Sequence, residues 1–307
     1  MTVHLVVGAG SVGTALAEQL AGSRREVVVV TRSGSGPTID GVRRVAADAR
    51  SIESLLTAAP TAAAVYNCAN PRYHEWVRDW PPIASALLAY AERTGAVLAT
   101  TSNLYGYGPV EGPMTESLPL TAPGVKGRIR ARMWLDAKAA HDAGRIRATE
   151  VRGSDYLVAS EQSRIGSARV VPPLLAGKGV SVVGRVDLPH SWTAPSDVAR
   201  LLNVVAADER AWGKAWHVPS NPPRTQREAI DDLADAAGVS RVRVSQVPNL
   251  VLAAMGLVNP FLREMRETAY QFERPYVLDD SAARATFGLE PTPWSELLAG
   301  IVAHYRR

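Results

Sequence analysis

The sequence predicts an α/β fold: a doubly wound parallel sheet followed by a small C-terminal lobe. Three observations carry this. Apolar β-like runs alternate with helical patterns through the first half of the chain, the signature of βαβ units. Gly8, Gly10 and Gly13 fall directly between the first strand and the first helix. After Tyr156 the alternation breaks, and shorter, mixed segments follow to the C-terminus.

Taken in order, "VHLVVGAG" reads as the first strand, "SVGTALAEQLAG" as a helix, "REVVVVTRS" and "VRRVAAD" as two further strands, and "RSIESLLTAA" as a short helix. "AAAVYNCAN" is the fourth strand. A helix over "PPIASALLAYAERTG" closes at Gly95, "AVLATTSN" is the fifth strand, and a Gly/Pro-rich loop spans 106–124. A long helix runs from about Lys126 to Ala143, and "IRATEVRGSD" is the sixth strand. Right-handed crossovers between such strands give a doubly wound sheet. Beyond it, "ARVVPPLLAG", "VSVVG", "APSDVARLLNVVAA" and "KAWHVPS" read as helix, strand, helix and strand. "TQREAIDDLADAAG", the basic strand-like "SRVRVSQVP" and C-terminal helices complete the chain. The expected division is a Rossmann-type domain over 1–158 and 191–220, and a small lobe over 159–190 and 221–307.

Composition narrows the class. With 307 residues, 46% of them hydrophobic, the chain can bury a substantial core. No apolar run approaches the roughly 20 residues that span a bilayer, and the N-terminus lacks the parts of a secretory signal, so no membrane partner and a cytoplasmic location are expected. The single cysteine, Cys68, excludes an intrachain disulfide and a multi-cysteine metal site; the six histidines are isolated, and no metal is expected. The net charge of +4 comes from scattered residues with no contiguous basic patch, which argues against nucleic acid. No Gly-x-Ser-x-Gly elbow supports a hydrolase.

The Gly8–Gly13 pattern, in its strand-to-helix setting, points to dinucleotide binding. Glycines allow a tight turn and close approach of a pyrophosphate, and the helix N-terminus offers free amides to it. Gly8, Gly10, Ser11, Val12 and Gly13 form this cradle. At the end of the second strand an NAD site would place an acid for the ribose 2′-hydroxyl. Here Thr31, Arg32 and Ser33 stand there, and a guanidinium suits a 2′-phosphate, so NADP(H) is favoured over NAD. Asp48 can accept from the adenine amino group or cap the helix after it.

The chain resembles the extended or atypical short-chain dehydrogenase/reductases of the NAD-dependent epimerase/dehydratase family. The resemblance rests on "GAGSVG" at 8–13, "NCAN" after the fourth strand, "TTSNLYGYGP" at 100–109, "TESLP" at 115–119 and "APSDVARLL" at 194–202. It implies that Asn67, Ala69 and Asn70 lie beside the cofactor and that Thr101 polarises the substrate oxygen. It also implies a Tyr-x-x-x-Lys pair at the start of the next long helix, the Tyr exchanging a proton and the Lys holding the nicotinamide ribose. In "GVKGRIRARM" the register brings Lys126 to the Tyr position and Arg130 to the Lys position, one helical turn apart. Three readings stay open. Lys126 exchanges the proton while Arg130 grips the ribose. Alternatively another side chain acts, Tyr73 first, with His74, Tyr105 and Tyr107 nearby. Or the chain binds a dinucleotide without redox turnover, as an isomerase, cyclase or cofactor-sensing binding protein.

On the substrate side, the resemblance sets His190 and Trp192 where Arg and an aromatic residue commonly bind a diphosphate, and Asp155 where Asn is usual. Both departures argue against a nucleotide sugar. Trp76, Trp80, Met114, Trp192 and the run "LVLAAMGLVNPF" suggest instead an apolar pocket for a small organic carbonyl or alcohol. The substrate set is therefore His74, Tyr105, Tyr107, Met114, His190 and Trp192. The resemblance also implies a homodimer formed through helices 83–93 and 126–143.

Overall fold

The computed structural model describes residues 3–248, 264 and 266–307; the run "LVLAAMGLVNPF" lies outside the described residues. The chain divides into two compact units, one of residues 1–108, 119–153 and 198–218, the other of 109–118, 154–197 and 219–307.

The first unit is a seven-stranded, wholly parallel sheet. Its strands are β1 (Val3–Val7), β2 (Glu26–Thr31), β3 (Val42–Ala46), β4 (Ala64–Asn67), β5 (Val97–Asn103), β6 (Arg147–Gly153) and β10 (Ala215–His217), in the order β3-β2-β1-β4-β5-β6-β10. The chain starts at the centre of the sheet, runs outward to β3, then crosses back to β4, so the strand order reverses beside β1. Helices α1 (Ser11–Gly22), α2 (Ile52–Ala58), α3 (Trp76–Thr94) and α4 (Val125–Asp142) make the crossovers.

Side-chain alternation in β1 divides the core. Leu5 and Val7 join Val28, Val30, Val65 and Leu98 in a cluster with Leu55, Trp76, Trp80, Leu87 and Tyr90 from α2 and α3, and Met133 and Ala137 from α4. His4 and Val6 take the opposite face. There His4 Nδ1 lies 3.0 Å from the hydroxyl of Tyr66. Burial first, and then Arg25, lowers the His4 pKa from 6.5 to about 4. The folded-state value lies below the unfolded one, so the unfolded chain takes up the proton first. This contribution to stability is complete above about pH 6.5 and falls as the pH drops toward 4, by about 1–2 kcal/mol after solvent screening. A His4→Gln protein should lose that part of the acid sensitivity in urea unfolding at pH 7, 5.5 and 4; an unchanged pH profile would refute the assignment.

Two sequence expectations shift at their edges. α3 begins at Trp76, five residues before "PPIASALL", and carries Pro81 and Pro82 inside it. Each proline removes a helical N–H, but Trp76 and Trp80 are 3% and 0% exposed, and their burial holds the extra turn in place. α3 closes as expected on Gly95, at φ +70°. Residues 109–118 group with the second unit, because the backbone of Met114 bonds to Val277 and Asp279 at 2.8 Å each; tertiary pairing overrides chain order there.

The second unit has its own core of Leu157, Ile165, Leu174, Trp192, Ile230, Leu233, Val244, Leu298 and Ile301. Strands β8 (Val180–Val182) and β11 (Val244–Gln246) pair in parallel, as do β7 (Asp155–Tyr156) and β9 (Trp192–Thr193). The helices here are α5 (Val171–Leu175), α6 (Pro195–Ala207, shared with the first unit), α7 (Gln226–Ala237), α8 (Ser281–Phe287) and α9 (Trp294–Tyr305). α7 is opened by a capping box between Thr225 and Glu228. No described helix is long and apolar enough to cross a membrane.

Candidate dinucleotide and catalytic site

The loop between β1 and α1 passes through the point where strand order reverses. Gly8 adopts φ +104°, which L side chains rarely tolerate, and a Cβ there would sit 2.4 Å from the carbonyl oxygen of Cys68. A Cβ on Gly13 would lie 2.0 Å from the carbonyl oxygen of Gly8. These two glycines are required by the protein's own close packing of helix on strand. Gly10 differs: a Cβ there would meet nothing within 4 Å. It is the N-cap of α1, in extended conformation with no side-chain cap bond, so the first turn presents backbone amides and the positive end of the helix to open space. Ser11 is exposed beside it, whereas Val12 is buried. This cradle fits a pyrophosphate.

The ends of β2 and β3 flank it. The Thr31 hydroxyl donates to the carbonyl of Ser35 at 2.8 Å, and the Ser33 hydroxyl donates to that of Ser35 at 3.0 Å, so both close the turn. Arg32 is exposed. Asp48 is gripped by Arg50, which donates from Nε at 3.0 Å to Oδ1 and from a terminal nitrogen at 2.8 Å to Oδ2. The Arg50 hydrogen bonds hold the Asp48 carboxyl below the usual range. The helix after Asp48 is capped by Ser51, whose hydroxyl accepts from the amide of Ser54. After β4, Asn67 is buried and accepts from the amide of Ala69 at 3.3 Å, while Asn70 is exposed.

At the end of β5, Thr101 is half-buried, its hydroxyl 3.6 Å from the sulfur of Cys68. Burial pushes the Cys68 thiol up to about 12, so it packs as a small apolar group rather than as a nucleophile. Lys126 and Arg130 open α4, as the sequence spacing predicts, and both are buried, at 2% and 7% exposure. Gly127 between them permits this: a Cβ there would lie 2.5 Å from the carbonyl oxygen of Tyr105. The Lys126 ammonium stands 4.6 Å from the ring centre of Tyr73. The Arg130 guanidinium lies 4.6 Å from the Trp76 ring and 4.2 Å from the Trp80 ring, and donates to the carbonyl of Thr101 at 3.4 Å. Tyr73 and Tyr105 each pack on Trp76, with ring centres 5.2 and 6.2 Å away. The outcome is a cation–aromatic ladder of Tyr73, Lys126, Trp76, Arg130 and Trp80. Sequence reading placed Trp76 and Trp80 in an apolar pocket; a partner for Arg130 in α3 has no local signal, because the contact joins residues about 50 positions apart.

Of the remaining site candidates, His74 is exposed and Tyr107 is 2% exposed. The Tyr107 hydroxyl lies 2.6 Å from a terminal nitrogen of Arg152 and 2.8 Å from Nε2 of His217. Met114, His190 and Trp192 belong to the second unit. Met114 and Trp192 are each 1% exposed, and the Trp192 indole donates to the carbonyl of Arg224 at 2.9 Å. His190 is packed among Trp192, Phe272 and Tyr276, with Nε2 3.3 Å from Asp155. Arg164 donates to the same carboxylate at 3.1 Å. Burial pushes the Asp155 carboxyl up, but the bonds from His190 and Arg164 prevail and hold it below its ordinary value. No cluster of three or more metal-ligating side chains occurs among the described residues.

The fold is that of a Rossmann-type α/β protein, with a glycine-rich turn between β1 and α1 where the strand order reverses. Over its whole length the chain is structurally similar to members of the NAD-dependent epimerase/dehydratase family. UDP-glucose 4-epimerase from Thermotoga maritima, solved with UDP-glucose, superposes with a TM-score of 0.79 at 18% identity, covering 99% of this chain and 98% of that one. A dTDP-glucose 4,6-dehydratase from Bacillus anthracis, in complex with NAD, gives 0.78 at 16% identity, covering 100% and 97%. An epimerase from Methanothermobacter thermautotrophicus gives 0.81 at 17% identity, covering 99% and 92%. At such identities the likeness is one of fold. No protein-family model matches the chain, and no curated protein sequence does.

Proposed function

We propose that the protein is an NADP(H)-dependent enzyme of the epimerase/dehydratase type, acting on a small organic carbonyl or alcohol rather than on a nucleotide sugar. The observation that carries this reading is Gly10: the one cradle glycine whose missing side chain leaves open space, at the amide-bearing end of α1. Gly8 to Gly13 hold the pyrophosphate, Arg32 takes the 2′-phosphate, and Asn67, Ala69 and Asn70 border the cofactor. A bound nicotinamide supplies or accepts hydride. Thr101 donates a hydrogen bond to the substrate oxygen and Lys126 exchanges the proton there, with Tyr73 beneath its ammonium as the alternative donor.

A second reading has its own support. The Arg130 guanidinium lies against both the Trp76 and the Trp80 rings, which meet edge to face; this is the contact expected of a residue that fastens α4 to α3, and it favours a dinucleotide-binding member without redox turnover. Calorimetric titration with NADPH and NADH, followed by a carbonyl and alcohol panel, separates the two. Saturable NADPH binding with turnover that Lys126→Ala or Tyr73→Phe abolishes supports the first reading. Binding with no absorbance change on any substrate supports the second, and no saturable binding of either dinucleotide overturns both.

A further inference from the structure

The C-terminal edge of β2 and β3 holds more charge than a cofactor pocket needs. Strands β2 and β3 pair through Thr31 and Ala46, and the amide of Ala47 donates to the carbonyl of Thr31 at 3.0 Å. Arg32 and Asp48 therefore stand just beyond adjacent strand ends. A carboxylate in that position counts against NADP(H) on two grounds: it repels a phosphate dianion, and it competes for the guanidinium meant to bind one.

The structure resolves this competition with two further arginines. Arg50 covers Asp48 through the two-pronged pairing described above, reinforced by its own backbone amide at 3.0 Å from Oδ1. Arg78, in the first turn of α3, does the same for Asp79, with nitrogen–oxygen distances of 2.7 and 2.9 Å, and reaches Glu75 at 3.1 Å. Arg32 makes no direct hydrogen bond or ion pair with any described residue; it acts on Asp48 and Asp79 only through space. Asp48 and Asp79 are thus each held by an arginine, Arg78 serving Glu75 as well, and the guanidinium nearest the end of β2 is exposed and uncommitted.

We infer that Arg50 is a specificity-determining residue for the dinucleotide: by occupying the Asp48 carboxylate it leaves Arg32 to a ribose 2′-phosphate. The inference rests on the NADP(H) reading above. It makes Arg50 a positioning residue that acts through Asp48 and Arg32 without touching the cofactor. Removing it bares a carboxylate beside the phosphate position, which penalises a phosphorylated ribose and spares an unphosphorylated one. Removing the carboxylate as well erases the penalty.

The test is calorimetric titration of the purified chain and its variants with NADPH and with NADH. The expected pattern is preference for NADPH in the parent chain and, in Arg50→Ala, NADPH affinity weakened by about tenfold or more while NADH affinity changes less than about twofold. In Asp48→Asn/Arg50→Ala, NADPH affinity should return to within about threefold of the parent. Arg50 is exposed at the surface, so its replacement leaves the fold intact, and a thermal melt checks this. Equal weakening of both dinucleotides, no change in either, or failure of the double variant to recover overturns the inference. A parent chain that binds neither dinucleotide overturns the underlying function instead.

Discussion

An Arg152→Met protein is expected to lose about 3–5 kcal/mol of stability in urea unfolding, the cost of leaving a buried charge without its partner. Arg152 and Glu150 lie on one face of β6, each 2% exposed, with Arg152 Nε donating to Glu150 Oε1 at 2.7 Å. The guanidinium also donates to the Tyr107 oxygen, which lies 2.8 Å from His217 Nε2. The same guanidinium sits 5.0 Å from the Tyr107 ring and 5.9 Å from that of Trp134. One side chain therefore ties β6 to the turn after β5, to β10 and to α4. Replacing both members of the pair, as Glu150→Met/Arg152→Met, should recover a large part of the loss, because the unpaired carboxylate goes with it. A loss below about 1 kcal/mol in the single variant would show that water reaches Glu150.

Gly13→Ala is expected to damage the protein in a different way. The new Cβ would lie 2.0 Å from the Gly8 carbonyl oxygen and 3.2 Å from Cys68 Cβ, and backbone cannot yield as a side chain would. The helix must lift from β1, at a cost of about 1–3 kcal/mol or more, and any dinucleotide affinity should fall with it. Gly10→Ala separates fold from function. Its Cβ meets no protein atom within 4 Å, so stability should change by less than about 1 kcal/mol, yet NADPH binding should weaken at least about tenfold, since the methyl group enters the space assigned to pyrophosphate. Unaltered NADPH affinity in Gly10→Ala would remove the main support for the proposed site, whatever happens in Gly13→Ala.

The site was legible in proportion to how local its signals are. The cradle is a strand, a turn and a helix in immediate succession, so three glycines at fixed spacing announced it. Gly95 marked a helix end for the same reason. The start of α3 was not legible, because Pro81 and Pro82 are local signals against a helix interior and only the burial of Trp76 and Trp80 overrides them. The pairing of Arg50 with Asp48 was not legible either, since the sequence does not say that a neighbouring arginine will curl back onto that carboxylate.

By itself, then, the sequence determined the alternating α/β architecture, the cradle between β1 and α1, and the register that brings Lys126 and Arg130 to the head of α4. These follow from periodicities and turn chemistry within a few residues of chain. Only the tertiary structure decided what surrounds those two cations, which arginine is left unpaired at the end of β2, and that Tyr107 and Met114 are buried rather than presented. Each of those outcomes depends on contacts between elements tens of residues apart, where packing and charge pairing are settled by the fold as a whole.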